Sequence, residues 1–297
     1  MLTRRRFIAI SAALAPSLTL ASPIEPYVET SIALGAEVTL HLQHPDAPRL
    51  AAIAMAEIQR LEAVFSLYQP NAVLARLNRE SVFESPPFEL LECLGTARAV
   101  NLASGGRFDP TVQPLWSAYR IATERGKPLT EAERQRAFGY SGWRGVTVSP
   151  DRVTLRPGMA MTLNGIAQGY IADRVAALLT NHGLSRALID TGEMVALPEG
   201  SWSLELADRD MKLQNRALAT SAPLGMTFGG DGHTSHILDP LTGRPAVARW
   251  RAVSISATQA ALADALSTAA CLMESREEIV TLCEQFAGAT LETALPI

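Results

Sequence analysis

Leu163-Asn164-Gly165-Ile166-Ala167-Gln168-Gly169-Tyr170 opens the stretch LNGIAQGYIADRVAALLTNHGLSRALI, residues 163–189, which runs from a glycine-bearing loop through a helix into a strand. The helix is predicted over about Ala167 to His182, closes at Gly183, and leads into the strand Ala187-Leu188-Ile189. Upstream, Val38-Thr39-Leu40-His41-Leu42 reads as another strand. Between Leu50 and Phe65, the apolar residues Ala54, Ile58, Leu61 and Phe65 fall on one helical stripe, with Asp46 placed to cap it. A further helix from Phe88 to Ala103 stops at Ser104-Gly105-Gly106, a glycine pair suited to a left-handed helix end. Downstream, strands are expected near Trp202 to Leu206 and Ala252 to Ile255. Helices follow over about Gln259 to Met273 and Glu277 to Phe286, the last opened by the capping-box spacing Ser275-Arg276-Glu277-Glu278. Helices and strands mix without a strict βαβ rhythm, and no repeat or long linker divides them. That pattern predicts one compact α+β unit, not a doubly wound sheet.

The 297 residues carry 26 Lys plus Arg against 30 Asp plus Glu, with 47% apolar and 19% charged residues. This excludes a disordered chain and supplies material for a large core. A formal charge of −4 lacks the basic excess of a sequence-independent nucleic-acid binder, so no nucleic-acid partner is expected. At the N-terminus, Arg4-Arg5-Arg6 precedes the short apolar run Phe7 to Ala21. That run is too short to span a membrane, which takes about 20 apolar residues. Basic start, short apolar stretch and small-residue end read as a cleaved export signal over residues 1–21, its paired arginines followed by Phe7 resembling the twin-arginine type. The mature chain, 22–297, is then expected to be periplasmic, acidic and without a membrane span. Cys93, Cys271 and Cys283 have no paired spacing and read as small buried hydrophobes.

Several segments could carry chemistry. Gly165 and Gly169 flank a helix start where N–H groups and the helix dipole can receive a phosphate, or they are plain turn residues. In Ala263-Asp264-Ala265-Leu266-Ser267-Thr268, the carboxylate and both hydroxyls share one side of an apolar helix. This suits a hard, oxygen-seeking cation such as Mg²⁺. Alternatively Asp264 caps a neighbouring loop while the hydroxyls bond back to their own helix. Ser235-His236-Ile237-Leu238-Asp239-Pro240 enters a tight turn closed by Gly243. His236 could be an acid, a base, a phosphate donor or a structural hydrogen-bonder. With His233 it could also begin a zinc site, for which no third soft ligand is visible. Arg107-Phe108-Asp109-Pro110 reads as an exposed loop bearing a cation, an aromatic face and a carboxylate, and Tyr68 adds a second aromatic plane.

In order along the chain, Phe65-Ser66-Leu67-Tyr68-Gln69-Pro70 with Leu77-Asn78, Gly106-Arg107-Phe108-Asp109 with Thr111-Val112, and Gly165 to Tyr170 with Ala172-Asp173 are followed by Ala219-Thr220-Ser221, Ser235 to Pro240 with Thr242-Gly243, and Ala263 to Thr268. Together they resemble the FAD:protein FMN transferase family, the ApbE family, over nearly all of the mature chain.

The resemblance implies a T-fold-related α+β domain that binds FAD as substrate. It further implies that Mg²⁺ assists cleavage of the FAD diphosphate, that FMN passes to a Thr or Ser hydroxyl of an acceptor flavoprotein, and that AMP is released. By motif, Asp264, Thr268, Ser267 and the Gly165 carbonyl would hold the metal. Tyr68, Arg107, Phe108, Asp109, Gln168 and Leu238 would line the flavin nucleotide site, with Thr162 at its edge. His236 and Asp109 are the two nominees for the catalytic base. Thr162 and Gln168 stand where charged residues are usual in the family, and Gly192-Glu193 replaces a double glycine. These departures keep two rivals in view: a pyrophosphatase giving FMN and AMP, and a carrier that holds FAD without cleaving it.

Overall fold

The computed structural model describes residues 26–33 and 35–297, so the expected export signal lies outside the described residues. The chain runs β1 (Tyr27–Ala33), β2 (Ala36–Leu42), α1 (Ala47–Phe65), α2 (Val73–Glu80), β3 (Val82–Glu84), α3 (Phe88–Ala103), α4 (Gln113–Glu124), α5 (Glu131–Phe138), β4 (Val146–Val148) and β5 (Arg152–Leu155). It continues with α6 (Ala167–Asn181), β6 (Ala187–Asp190), β7 (Met194–Ala196), β8 (Trp202–Glu205), β9 (Asp210–Leu213), β10 (Arg216–Ser221), β11 (Leu238–Asp239), β12 (Arg244–Pro245), β13 (Trp250–Ala257), α7 (Ala260–Ala270), α8 (Arg276–Glu284) and β14 (Thr290–Pro296).

Seven strands form the main sheet in the order β1-β2-β6-β7-β10-β13-β14, every neighbouring pair antiparallel. The expected α+β class is therefore what the chain adopts. One face carries the main core, into which α1, α3, α6 and α7 send Ile58, Leu94, Ile171 and Leu266. The other face, under β6, β7 and β10, is covered by the β8–β9 hairpin through Leu188, Met194, Leu218, Leu204 and Leu213, with Trp202 packed against them. Covering on both faces explains why Ala187-Leu188-Ile189 is a continuous apolar run, whereas β2, nearer the sheet edge, alternates buried and exposed positions. All three cysteines are free and buried. Among the described residues, no helix is long and apolar enough to cross a membrane.

Two capping expectations are corrected. Asp46 occupies the N-cap of α1, but its side chain does not cap the helix; it lies 3.6 Å from Arg49. At α8, Ser275 Oγ accepts from the Glu278 N–H, yet the Glu278 carboxylate accepts from the Glu274 N–H and not from the N-cap residue, leaving half a capping box. The complete box stands at α5, between Thr130 and Glu133.

The joint between α6 and α7 fixes the site. These helices run antiparallel, and Gly169 lets their backbones meet: a Cβ there would fall on the Ala260 carbonyl and lie 2.7 Å from the Ala261 nitrogen. One turn further along α6, the Asp173 carboxylate accepts from the Ala260 and Ala261 N–H groups at 2.7 and 2.9 Å, capping α7 from a neighbouring helix. Burial in this joint pushes the Asp173 carboxyl up to about 6, outweighing the two N–H bonds that act against the shift.

Gly169→Ala is expected to lower stability by about 1–3 kcal/mol, because two backbones would have to separate. Gly95→Ala, in the exposed middle of α3 where a Cβ meets nothing within 4 Å, should instead raise it by about 0.5–1 kcal/mol. Urea unfolding of both variants checks the contrast, and equal effects would remove the close-approach argument. Between about pH 4 and 6 the native Asp173 holds a proton that the unfolded chain has released, so stability falls as pH rises through that window, by at most about 3 kcal/mol. Asp173→Asn should flatten this segment of the pH–stability curve; an unchanged slope would refute the assignment.

Candidate active site

The same antiparallel register carries Gly165, one turn before Gly169, against Thr268, two turns into α7. A Cβ on Gly165 would lie 2.9 Å from Thr268 Oγ1 and 3.4 Å from the Phe108 ring. Only a glycine lets the start of α6 close on α7 and the ring together. The approach to α6 is held from α2: Asn78 Nδ2 donates to the Met161 carbonyl at 2.8 Å and Asn78 Oδ1 accepts from the Met161 N–H at 2.7 Å. Thr162 N–H then donates to the Pro110 carbonyl at 2.8 Å, tying this segment to the loop after α3.

These elements enclose a cavity of about 650 Å³, within the range of small-molecule sites. Tyr68, Arg107, Phe108, Asp109, Thr162, Gly165, Gln168, His236, Leu238, Asp264 and Thr268 all line it. Ser267 does not: it is fully buried behind the wall, donating to the Asp264 carbonyl at 3.0 Å and lying 2.8 Å from Ser221 Oγ. Ser221, from β10, stands in the lining and sits 3.4 Å from Thr268 Oγ1. Trp116 and Arg251 also face the cavity and were not singled out from the sequence, and Glu193, noted there only as replacing a glycine, lines it as well. Ser221 lay in a quoted motif, but only the pairing of β10 with its neighbours shows which way it points.

The loop after α3 is not the exposed loop expected. Phe108 is buried, because Asn101 Nδ2 donates to the Phe108 carbonyl at 2.7 Å and the Phe108 N–H donates to Ser104 Oγ at 3.1 Å, lashing the loop to the helix end. Asp109 is a clamp: Oδ1 accepts from the Thr111 N–H and hydroxyl at 2.8 and 2.7 Å, and Oδ2 from the Trp143 N–H at 3.1 Å. Burial raises its carboxyl above the ordinary range, opposed by those bonds. Gln168 donates from Nε2 to the Thr191 carbonyl at 2.9 Å while the Gln168 backbone carbonyl accepts from the Thr191 hydroxyl at 2.8 Å, fixing the β6–β7 turn on the first turn of α6.

His236 has Nδ1 2.8 Å from the Met226 carbonyl. A carbonyl only accepts, so this contact puts a proton on Nδ1, and in the neutral ring the lone pair is then on Nε2, at the opposite side. Leu238 is buried in the cavity wall, and Tyr68, 75% exposed, stands at the rim.

The donors at the α6–α7 end are a buried carboxylate (Asp264) and hydroxyls (Thr268 and Ser221), with the Gly165 backbone in the lining beside them, a set of hard oxygen donors. That set fits Mg²⁺, which binds through one or two protein carboxylates and completes its shell with water and substrate phosphate. Among the described residues, no three His, Cys, Asp or Glu side chains converge to hold an ion, so the His233 and His236 pair makes no zinc site. Burial chiefly, then the Asp264 charge, raises the Cys93 thiol.

Solved structures of ApbE proteins share this antiparallel α+β fold. The apbe protein of Thermotoga maritima superposes with a TM-score of 0.82 at 26% identity, covering 90% of this chain and 93% of that one. The flavinyl transferase ApbE of Pseudomonas stutzeri gives 0.79 at 23% identity over 93% and 97%, a likeness of fold. A model of the ApbE family matches residues 34–291, and the chain belongs to that family. It is 31% identical over 269 residues to a FAD:protein FMN transferase of Treponema pallidum (strain Nichols), covering 78% of this chain and 73% of that protein. It is 26% identical over 267 residues to one of Klebsiella pneumoniae (strain 342), covering 82% and 81%.

Asp109→Ala should cost about 1–3 kcal/mol of stability in urea unfolding, because it strands the Thr111 and Trp143 N–H groups. A variant as stable as the parent would contradict the clamp.

Proposed function

We propose that this chain is a Mg²⁺-dependent FAD:protein FMN transferase, moving FMN from FAD to a Thr or Ser hydroxyl of a partner flavoprotein and releasing AMP. The observation that carries this reading is the meeting, in one cavity, of the oxygen donors at the α6–α7 joint with an aromatic and apolar wall containing Phe108 and Leu238. The relatives named FAD:protein FMN transferase support it.

Asp264, Thr268 and the Gly165 carbonyl would hold the metal, with Ser267 and Ser221 orienting the Thr268 hydroxyl. When bound, Mg²⁺ supplies charge neutralisation at the diphosphate and improves AMP as a leaving group. Phe108, Leu238 and rim Tyr68 would receive the flavin, with Arg107 and Thr162 beside them. The acceptor oxygen bonds to the phosphorus of the FMN half, the bond from that phosphorus to the AMP half breaks, and the acceptor proton passes to His236 Nε2. His236 is the proposed base, a reading supported by its Nδ1 contact, which in the neutral ring makes Nε2 the accepting atom. Asp109 becomes a positioning residue, its carboxylate engaged by Thr111 and Trp143.

Incubating the mature protein with FAD, Mg²⁺ and a candidate acceptor should give AMP together with an acceptor mass increased by FMN. AMP alone would favour the pyrophosphatase, and neither product the carrier. Asp264→Ala should lower turnover by at least about 100-fold while the thermal midpoint stays near that of the parent. His236→Ala should cost about 10²–10⁴-fold in rate. Undiminished turnover in either variant removes that residue from the mechanism.

We further propose export to the periplasm through the twin-arginine N-terminus. Arg4→Lys with Arg5→Lys should leave the precursor in the cytoplasm on fractionation, and continued export would defeat the proposal.

A further inference from the structure

We infer that Glu193 makes FAD binding conditional on a divalent cation. The inference rests on the FMN-transferase reading and adds a specificity residue to it. Glu193 is 8% exposed and lines the cavity. Its direction follows from strand pairing. Met194 pairs with Leu218, and both face the β8–β9 hairpin; Val195 pairs with Ala217, and both face the helices. Glu193, the residue before β7, reaches the cavity on the helix side of the sheet, the side that Ala219 on β10 also faces. Ser221 lies two residues beyond Ala219, a rise of about 7 Å, and its hydroxyl meets Ser267 and Thr268. The bonds between Gln168 and Thr191 press this turn onto the first turn of α6. Glu193 therefore belongs to the part of the cavity beside the α6–α7 joint, where Gly165 meets Thr268.

Two buried carboxylates, Glu193 and Asp264, thus flank the place where an anionic diphosphate must lie. Like charges repel strongly where water is excluded. Without a cation, both carboxylates oppose the dinucleotide; with one, the same two charges attract the ion that the diphosphate also binds. Metal and FAD must then tighten each other reciprocally, and Glu193 sets the size of that coupling.

The test measures FAD binding to the full mature chain by flavin fluorescence in rapid mixing, in EDTA and in saturating Mg²⁺, with ADP calorimetry as a diphosphate probe that carries no flavin. The parent should bind FAD at least about 30-fold tighter with Mg²⁺, within the usual span of site couplings. In Glu193→Gln the ratio should fall to about 5-fold or less, mainly because affinity in EDTA rises. Glu193→Asp, which keeps the charge, should retain most of the parent's ratio, and matching thermal midpoints certify the fold of both variants. A parent indifferent to Mg²⁺, or a Gln variant with an unchanged ratio, overturns the inference while leaving FAD binding intact. Equal weakening of Glu193→Gln with and without Mg²⁺ would make Glu193 a hydrogen-bond acceptor for the dinucleotide and overturns it as well. No FAD binding by the parent in either condition overturns both this inference and the transferase reading.

Discussion

The whole arrangement depends on the bond between the Asp173 carboxylate and the first N–H groups of α7. A short helix of alanines and leucines has no reason of its own to start at Ala260, since Gln259 supplies no side-chain cap. The cap comes from α6, and Gly169 lets the two backbones touch beside it. Direction, register and separation of the two helices are fixed at that one place. Everything one and two turns away inherits them, so Gly165 lies against Thr268 because Asp173 lies against Ala260. Desolvating a carboxylate is unfavourable, which is why burial lifts its proton affinity, and the two N–H bonds and the helix dipole offset part of that cost.

Two kinds of lining meet in the cavity at that joint. One is built of oxygens: Asp264, Thr268, Ser221, the Gly165 carbonyl and Glu193. The other is built of rings and aliphatic carbon: Phe108, Leu238, Trp116 and the rim Tyr68. Loops that close the cavity are held by side chains reaching into backbone, with Asn78 on the Met161 peptide, Asp109 on Thr111 and Trp143, and Gln168 on Thr191. Such clamps leave the reacting groups few alternative positions, which suits a transfer whose rate depends on placement and on charge already in position.

What could be read from the residues alone follows how far apart the partners are. The stripe Ala54, Ile58, Leu61 and Phe65 is a local pattern and became α1; the glycine pair after Ala103 ended α3 with Gly105 at φ 62° and Gly106 at φ 85°. The four-residue spacing of Asp264 and Thr268 placed both on the cavity side of one helix. Ser267, three residues from Asp264, was grouped with them, but a third of a turn sends it behind the wall. The role of Asp109 was half hidden: Thr111 is two residues away, but Trp143, which the other carboxylate oxygen holds, is 34 residues away. Glu193 was hidden likewise, since its side of the sheet is decided by β10, a strand of small residues with little β signature of its own. Motif order supplied the remaining site residues because it encodes tertiary neighbours that periodicity cannot.

The capping of α7 from α6 also has a consequence for how the molecule comes into being. Asp173 and the Ala260 N–H it accepts are 87 residues apart in the chain. At about 5–20 residues per second, a ribosome needs roughly several seconds to make that interval. Throughout it the nascent polypeptide holds a finished α6 whose acid has nothing to cap, and the cavity-lining Asp264 and Thr268 of α7 do not yet exist. The catalytic pocket therefore cannot be born in stages: it closes late, near the completion of synthesis, and any product of premature termination before α7 is inert.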